Sequence, residues 1–372
     1  MPLSRPDITR LEREAVARVL DSPRLSLGPE VVKFEKMLAS YLGARHAVAV
    51  NSGTSALHLC VRALGIGDDD EVITTPFSFV ASANCILYER ARPVFVDIDP
   101  RTMNLDTALV EAKISKRTKA ILPVHVFGQP TDMIGLGALA DKYRLKVIED
   151  ACESIGATCG EKKVGTFGDC SVLAFYPNKQ MTTAEGGAII TDNDSVASAC
   201  RSMRNQGRSE GSTWLAHERL GYNYRLSDIH SALGVAQLSR IEELLDKRKR
   251  AADLYARAFE QVEGISLPAV IPETTRSWFV YVVLLDPQFT RDERNQILMG
   301  MRQSGIGCSD YFPPIHLQPF YVKQFGYRRG DFPVCESISD RTIALPFFGD
   351  LEEEDVAYVA SVLETELRKV RA

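Results

Sequence analysis

Lys179 lies in the run Phe175-Tyr-Pro-Asn-Lys-Gln-Met-Thr-Thr-Ala-Glu-Gly-Gly187, a loop between two β-branched segments. Most lysines are solvated surface charges. One flanked by strands that should be buried is placed where desolvation favours a neutral, nucleophilic amine. Asp150 closes the apolar run Val147-Ile-Glu-Asp. A carboxylate at the C-terminal end of a parallel strand lies where α/β folds bind ligands, although a strand-end acid turned to solvent has the same local sequence. The turn Asn51-Ser-Gly-Thr-Ser-Ala-Leu57 joins an apolar run to a helical one. There Gly53, Thr54 and Ser55 offer amides and hydroxyls where the helix dipole favours an anion, and the same residues serve equally as a plain N-cap. An amine, an acid and an anion site are three of the four things pyridoxal 5'-phosphate (PLP) asks of a protein. The fourth is a flat surface to clamp the ring. The double glycine Gly186-Gly187 suggests a close approach of backbone to something bulky.

These residues need a scaffold that delivers them to one place. Short apolar runs at Ala47–Val50, Glu71–Thr75, Pro93–Asp97, Lys119–Val124, Leu145–Glu149, Ser171–Phe175 and Ala188–Thr191 read as strands buried on both faces. Helical patterns alternate with them, among them Ser55–Leu64, Asp132–Tyr143 and Asp194–Arg204. Such alternation predicts an α/β domain with a largely parallel sheet. A long helical pattern runs from about Ser227 towards Val262 and should carry the chain into a smaller domain. That domain shows a strand at Phe279–Leu285, a helix at Arg291–Ser304, an aromatic- and Pro-rich loop from Tyr311 to Tyr327, and a terminal helix from near Glu352.

Composition narrows the function classes. A length of 372 residues suggests two domains. A net charge of −5 argues against a sequence-independent nucleic-acid binder. No apolar run approaches the ~18 residues of a membrane span, and the N-terminal residues lack the apolar core of a signal peptide. The eight cysteines are scattered without a C-x-x-C pair, so reduced thiols in a cytoplasmic enzyme are expected rather than a zinc site.

The motifs in order along the chain resemble the DegT/DnrJ/EryC1/StrS family of sugar aminotransferases, which has the aspartate aminotransferase fold (PLP fold type I). The resemblance runs through Leu27-Gly-Pro-Glu30, Asn51–His58, Pro76-Phe-Ser-Phe-Val-Ala81, Pro123–Gln129, Glu149-Asp-Ala-Cys-Glu153, Phe175–Gly187, Gly221–Asp228, Pro314-Ile-His-Leu-Gln318 and Leu345-Pro-Phe347. It implies a three-layer α/β/α fold, with a large, mostly parallel-sheet PLP-binding domain over residues 1–240 and a smaller C-terminal α+β domain over residues 241–372. It makes Lys179 the Schiff-base lysine and Asp150 the partner of the pyridine nitrogen, with Gly53, Thr54 and Ser55 on the phosphate. Phe79 would stack on the ring, and Glu153 falls where many members have Gln or His near the ring hydroxyl. Asn223 matches a residue that reaches the phosphate from a neighbouring subunit, which implies a homodimer with shared active sites. His316 sits in a loop that in relatives approaches the nucleotide sugar. Many relatives carry a serine five residues before the lysine; here that residue is Ala174, so one phosphate hydrogen bond is missing or comes from Asn178. The implied reaction takes an amino group from a donor, L-glutamate by analogy, to a keto sugar carried on a nucleotide.

Other readings fit less of the chain. Relatives with histidine in place of the lysine are dehydratases, and Lys179 is intact. A dehydratase and a PLP-binding regulator without turnover are the alternatives. Gly207-Arg-Ser-Glu-Gly211 matches the serine-hydrolase pattern G-x-S-x-G, but a polar helical pattern precedes it instead of a buried strand. There is no P-loop or dinucleotide fingerprint, and the six dispersed histidines do not suggest a metal cluster.

Overall fold

A computed structural model describes residues 1–208 and 216–371. The apolar runs become a seven-stranded sheet made of β1 (His46–Val50), β2 (Glu71–Thr74), β3 (Arg92–Phe95), β4 (Thr118–Leu122), β5 (Lys146–Asp150), β6 (Cys170–Ala174) and β7 (Gly187–Thr191). Their spatial order is β1-β7-β6-β5-β4-β2-β3. The pairs from β3 through β6 are parallel, while β7 runs antiparallel to both of its neighbours. Alternate residues feed different cores, as a pleated strand requires. Val48, Val50, Leu122, Ile148 and Val172 face one helical layer. Ala47, Ala49, Leu173 and Ile190 face another, and Ile73, Ile121 and Val147 a third cluster on that same side. Burial on both faces is the reason these strands read as continuous apolar runs.

The helices that matter for the site begin with α1 (Arg10–Leu20) and α2 (Pro29–Leu42), neither of them singled out from the sequence pattern. A Thr9/Glu12 capping box starts α1, and Pro29 at the first turn starts α2. Asp228 accepts from the Gly28 amide at 3.0 Å, so Leu27-Gly-Pro-Glu30 and Ser227-Asp228 are two halves of one structural lock. They are followed by α3 (Gly53–Ala63), α4 (Ala81–Tyr88), α5 (Met133–Tyr143) and α6 (Asp194–Arg204). The long helical pattern expected from Ser227 to Val262 is two helices, α7 (Asp228–Leu238) and α8 (Ile241–Ala258). Arg240 leaves helical geometry between them, its guanidinium held by Asp7, Glu12 and Glu243. The pairs with Asp7 and Glu12 join segments distant in sequence, so helical periodicity alone could not show the break.

The smaller unit has the strands β8 (Ile265–Ser266), β9 (Tyr281–Leu285) and β10 (Thr342–Leu345), ordered β8-β9-β10 and antiparallel. Packed on them are α9 (Arg291–Gln303) and the terminal α10 (Glu353–Arg371). The chain start joins this unit: the Gly307 amide donates to the Met1 carbonyl and the Phe347 amide to that of Leu3. Val282 on the other face of β9, with Phe279 and Val280 just before the strand, packs into the core of the large sheet. Helix α8 and the segment before β9 therefore link the two units around the loop that bears Lys179.

Candidate active site

Asp150 is the last residue of β5 and lies buried. Its amide donates to the Pro123 carbonyl at 2.9 Å and its carbonyl accepts from His125 at 3.1 Å. The carboxylate accepts from Ser82 Oγ at 2.7 Å and from the Cys152 amide at 3.2 Å. With the Ser82 proton directed at Asp150, the neighbouring Ser78 hydroxyl at 2.8 Å must donate to Ser82. A short relay from the start of α4 thus fixes the orientation of the acid. Its neighbour Glu149 points to the opposite face, as strand alternation demands. There it accepts from the amides of Gly165, Phe167 and Gly168 and faces His125 Nε2 at 3.3 Å. Of the two acids ending this strand, one holds a loop and the other faces the cleft.

Lys179 is mostly buried. Its Nζ lies 3.3 Å from Glu153 Oε1 and 4.0 Å from the centre of the Phe279 ring. The second oxygen of Glu153 accepts from the Phe127 amide at 2.9 Å. Cys152, whose amide donates to Asp150 at 3.2 Å, directly precedes the Glu153 that meets Lys179 Nζ, which brings amine and acid to the same stretch of chain; burial, then Asp150, push the Cys152 thiol up. Tyr311 borders it: burial, then the Glu153 carboxylate, hold its phenol above the ordinary range.

The turn after β1 meets this cleft through close backbone packing. Ser52 caps α3 by accepting from the Ser55 amide at 3.1 Å. Among the described residues no protein acceptor takes the amides of Gly53 and Thr54. A Cβ on Gly53 would lie 2.8 Å from the Ala174 Cβ and 3.1 Å from Cys152 Sγ. One on Gly187 would lie 2.6 Å from the Ser52 carbonyl. The double glycine therefore admits the phosphate-type turn itself against β7. Asn178, beside the lysine, has a buried Oδ1 without a hydrogen-bond partner.

The residue set fits PLP. An enclosed amine, an oriented carboxylate, two unpaired helix-start amides and an orphaned buried amide oxygen converge on the same region. Phe79 is 61% exposed beside α4, its ring free, whereas Phe77 is buried between Phe127 and Phe312. Asn223 is exposed, on a loop whose flanking Tyr222 and Tyr224 stack together. Among the described residues no side-chain hydrogen bond or ion pair ties Asn223 to the Lys179 cleft of its own chain. His316 is fully buried within its own chain, its Nε2 lies 3.0 Å from Glu336 and the Phe332 ring packs against it. Its Nδ1 has no hydrogen-bond partner among the described residues. Ser209 of the G-x-S-x-G match lies outside the described residues. Sequence reading missed Ser82, Phe279 and Tyr311; Ser82 had a faint signal, one helical turn beyond Phe79, while the other two come from distant segments.

Burial holds the Glu153 carboxyl above the ordinary carboxylate range, with the Lys179 ammonium drawing it part of the way back. A carboxyl raised in the fold binds its proton there more readily than in the unfolded chain. Its contribution to stability therefore grows as pH falls through the folded value towards the unfolded one. Glu153→Gln removes that titration. In the cofactor-free chain, the melting-temperature difference between wild type and Glu153→Gln should shift in favour of wild type from about pH 8 down to about pH 5. A flat or reversed trend would mean that the lysine, not burial, governs this group.

A family model described as the DegT/DnrJ/EryC1/StrS aminotransferase family matches residues 6–364. The chain is 38% identical over 355 residues to the GDP-perosamine synthase of Caulobacter vibrioides, covering 95% of this chain and 94% of that one. Among solved structures it is similar to Helicobacter pylori PseC, an aminotransferase involved in pseudaminic acid biosynthesis, with a TM-score of 0.94, 31% identity and 99% of each chain covered. It is also similar to a Streptococcus pneumoniae protein described as a sugar aminotransferase, in its PLP-form, with a TM-score of 0.94 and 28% identity over 100% of this chain and 99% of that one.

Proposed function

The chain belongs to the DegT/DnrJ/EryC1/StrS aminotransferase family, and from that premise we propose that it uses PLP to transfer an amino group from an amino acid, L-glutamate foremost, to the keto group of a nucleotide-linked sugar. The observation that carries this reading is the enclosed Lys179 amine, held between the Glu153 carboxylate and the Phe279 ring in the cleft that Asp150 faces. Such an amine is positioned for covalent and proton-transfer work. The products suit surface-polysaccharide or deoxyamino-sugar synthesis in the cytoplasm.

When bound, PLP supplies an electron sink that makes the donor's Cα–H bond acidic. Lys179 would tether it and, once released, carry a proton on Nζ between the donor's Cα and the cofactor's C4′ carbon. Asp150, oriented by Ser82, would hold the proton on the ring nitrogen. The amides of Gly53 and Thr54, with the Ser55 hydroxyl and Asn178, would take the phosphate at the start of α3. Phe79 would cover the ring. The neighbouring Glu153 carboxylate stabilises the lysine when it carries the extra proton.

A homodimer with shared sites completes this reading. Ile8, Leu20 and Leu27 are exposed, and an apolar groove lined by Ile8, Val16 and Leu20 runs beside Pro177 and Ala184 of the lysine loop. Exposed apolar surface next to an active cleft suits burial against a second copy, from which Asn223 would reach the phosphate.

The test is the visible spectrum of the purified chain with PLP, before and after L-glutamate. A yellow form that bleaches as 2-oxoglutarate is released supports the proposal, and the aminated cofactor form then serves to screen keto-sugar nucleotides. A protein that never colours would overturn it.

A further inference from the structure

Arg248, on α8, is buried and has no carboxylate within ion-pair distance among the described residues. The nearest acid acting on it, Asp7, is taken by Arg240 and Lys247 at 3.0 and 2.7 Å. Desolvation pulls the guanidinium down to about 10. An unpaired buried cation is destabilising by several kcal/mol unless its donors are well satisfied, so its hydrogen bonds should show why the fold keeps it. They go to three carbonyls. Nη2 donates to Lys179 O at 2.8 Å and to Asn178 O at 3.4 Å, and Nη1 donates to Phe279 O at 3.1 Å.

Those carbonyls belong to the catalytic lysine, to the residue before it, and to the residue whose ring covers its Nζ at 4.0 Å. The base and the tip of the Lys179 side chain are therefore held by one planar group. That group sits on the helix joining the two units, and its third bond reaches the segment that enters the smaller one. A guanidinium can do this because its fork presents several N–H groups in fixed directions; an ammonium is a point donor on a flexible stem.

Resting on the proposed PLP reading, we infer that Arg248 is a positioning residue for Lys179, locking the lysine's backbone and its Phe279 cover into one geometry for reaction with the cofactor. Removing it leaves Lys179, Asp150 and the phosphate turn in place but lets the amine wander. A displacement on the order of 1 Å at a reacting group is enough to lower rates by ~10²-fold.

The experiment compares wild type with Arg248→Lys, which keeps the charge and loses the fork. Cofactor-free protein is mixed with PLP, and the condensation of Nζ with the aldehyde, which releases water, is followed by growth of the visible band. Steady-state kinetics with amino donor are measured alongside. The folded variant should form the band about tenfold more slowly and lose tenfold to a hundredfold in kcat, with KM for the donor within about threefold of wild type. A folded Arg248→Lys with wild-type rates of band growth and turnover overturns the inference. If wild type itself forms no band, the PLP reading fails instead. Should Arg248→Lys not fold, Arg248→Gln, which keeps a planar donor head but loses the charge and most of the fork, carries the test. Slower band growth then supports the positioning role, and an unchanged rate overturns it.

Discussion

Lys179→Ala is expected to lower turnover by ~10⁴-fold or more, since in the proposed reaction one amine would serve both as the cofactor's tether and as the acid–base that moves the substrate proton. The groups that meet Lys179 Nζ are the Glu153 carboxylate and the Phe279 ring. The substitution strips Glu153 of its cation, a loss of about 3–5 kcal/mol for a buried ion pair broken on one side, although the Phe127 amide still donates to the carboxylate. Uptake of a proton by Glu153, already held above the ordinary range, limits that loss, so the variant should fold. It should still bind PLP through the start of α3 and Asp150. Borohydride reduction followed by dialysis should then leave wild type carrying the cofactor and the variant bare. Turnover near the wild-type rate in Lys179→Ala would remove the central catalytic assignment.

Mixing two inactive variants should restore activity. Asn223→Asp sets a carboxylate where a partner's cofactor phosphate is proposed to lie, and like charges at that range should weaken PLP binding severely. In a mixed dimer of Lys179→Ala and Asn223→Asp chains with shared sites, one site carries both substitutions and the other carries neither. Random exchange makes half of the dimers mixed, so recovery should approach roughly a quarter of the wild-type rate. Were Asn223 to serve the site of its own chain, each mixed-dimer site would hold one defect and nothing would be regained. The exposure of Asn223 and the absence, among the described residues, of a side-chain hydrogen bond or ion pair from it to the Lys179 cleft favour the first outcome.

Strand positions were readable to within about two residues because burial on both sheet faces leaves a continuous apolar signature. The helix break at Arg240 was not, since Asp7 and Glu12 make it from more than two hundred residues away. The strand at Thr342–Leu345 went unread, being short and recognisable only through its pairing with β9. Among the proposed site residues, the burial of His316 was not legible, because a histidine between Ile315 and Leu317 carries no local mark of facing inward. Only Glu336 and Phe332, brought in by a later helix, show that it does.

What the sequence by itself determined was the chemistry available: a lysine in a glycine-closed loop, an acid at a strand end, a small-residue turn at a helix start, and the motif order that marks the family. The first three are each local, written within a few residues of sequence, and the motif order is read along the chain. The tertiary structure decided which of two adjacent acids faces the cleft, what covers the lysine, and what holds it. Glu149 and Asp150 are separated by strand alternation, Ser82 orients the acid from another helix, and Arg248 and Phe279 close on Lys179 from 69 and 100 residues further along the chain. Proximity of that kind follows from how the layers pack, and burial, hydrogen-bond satisfaction and electrostatics act only between groups that packing has brought together.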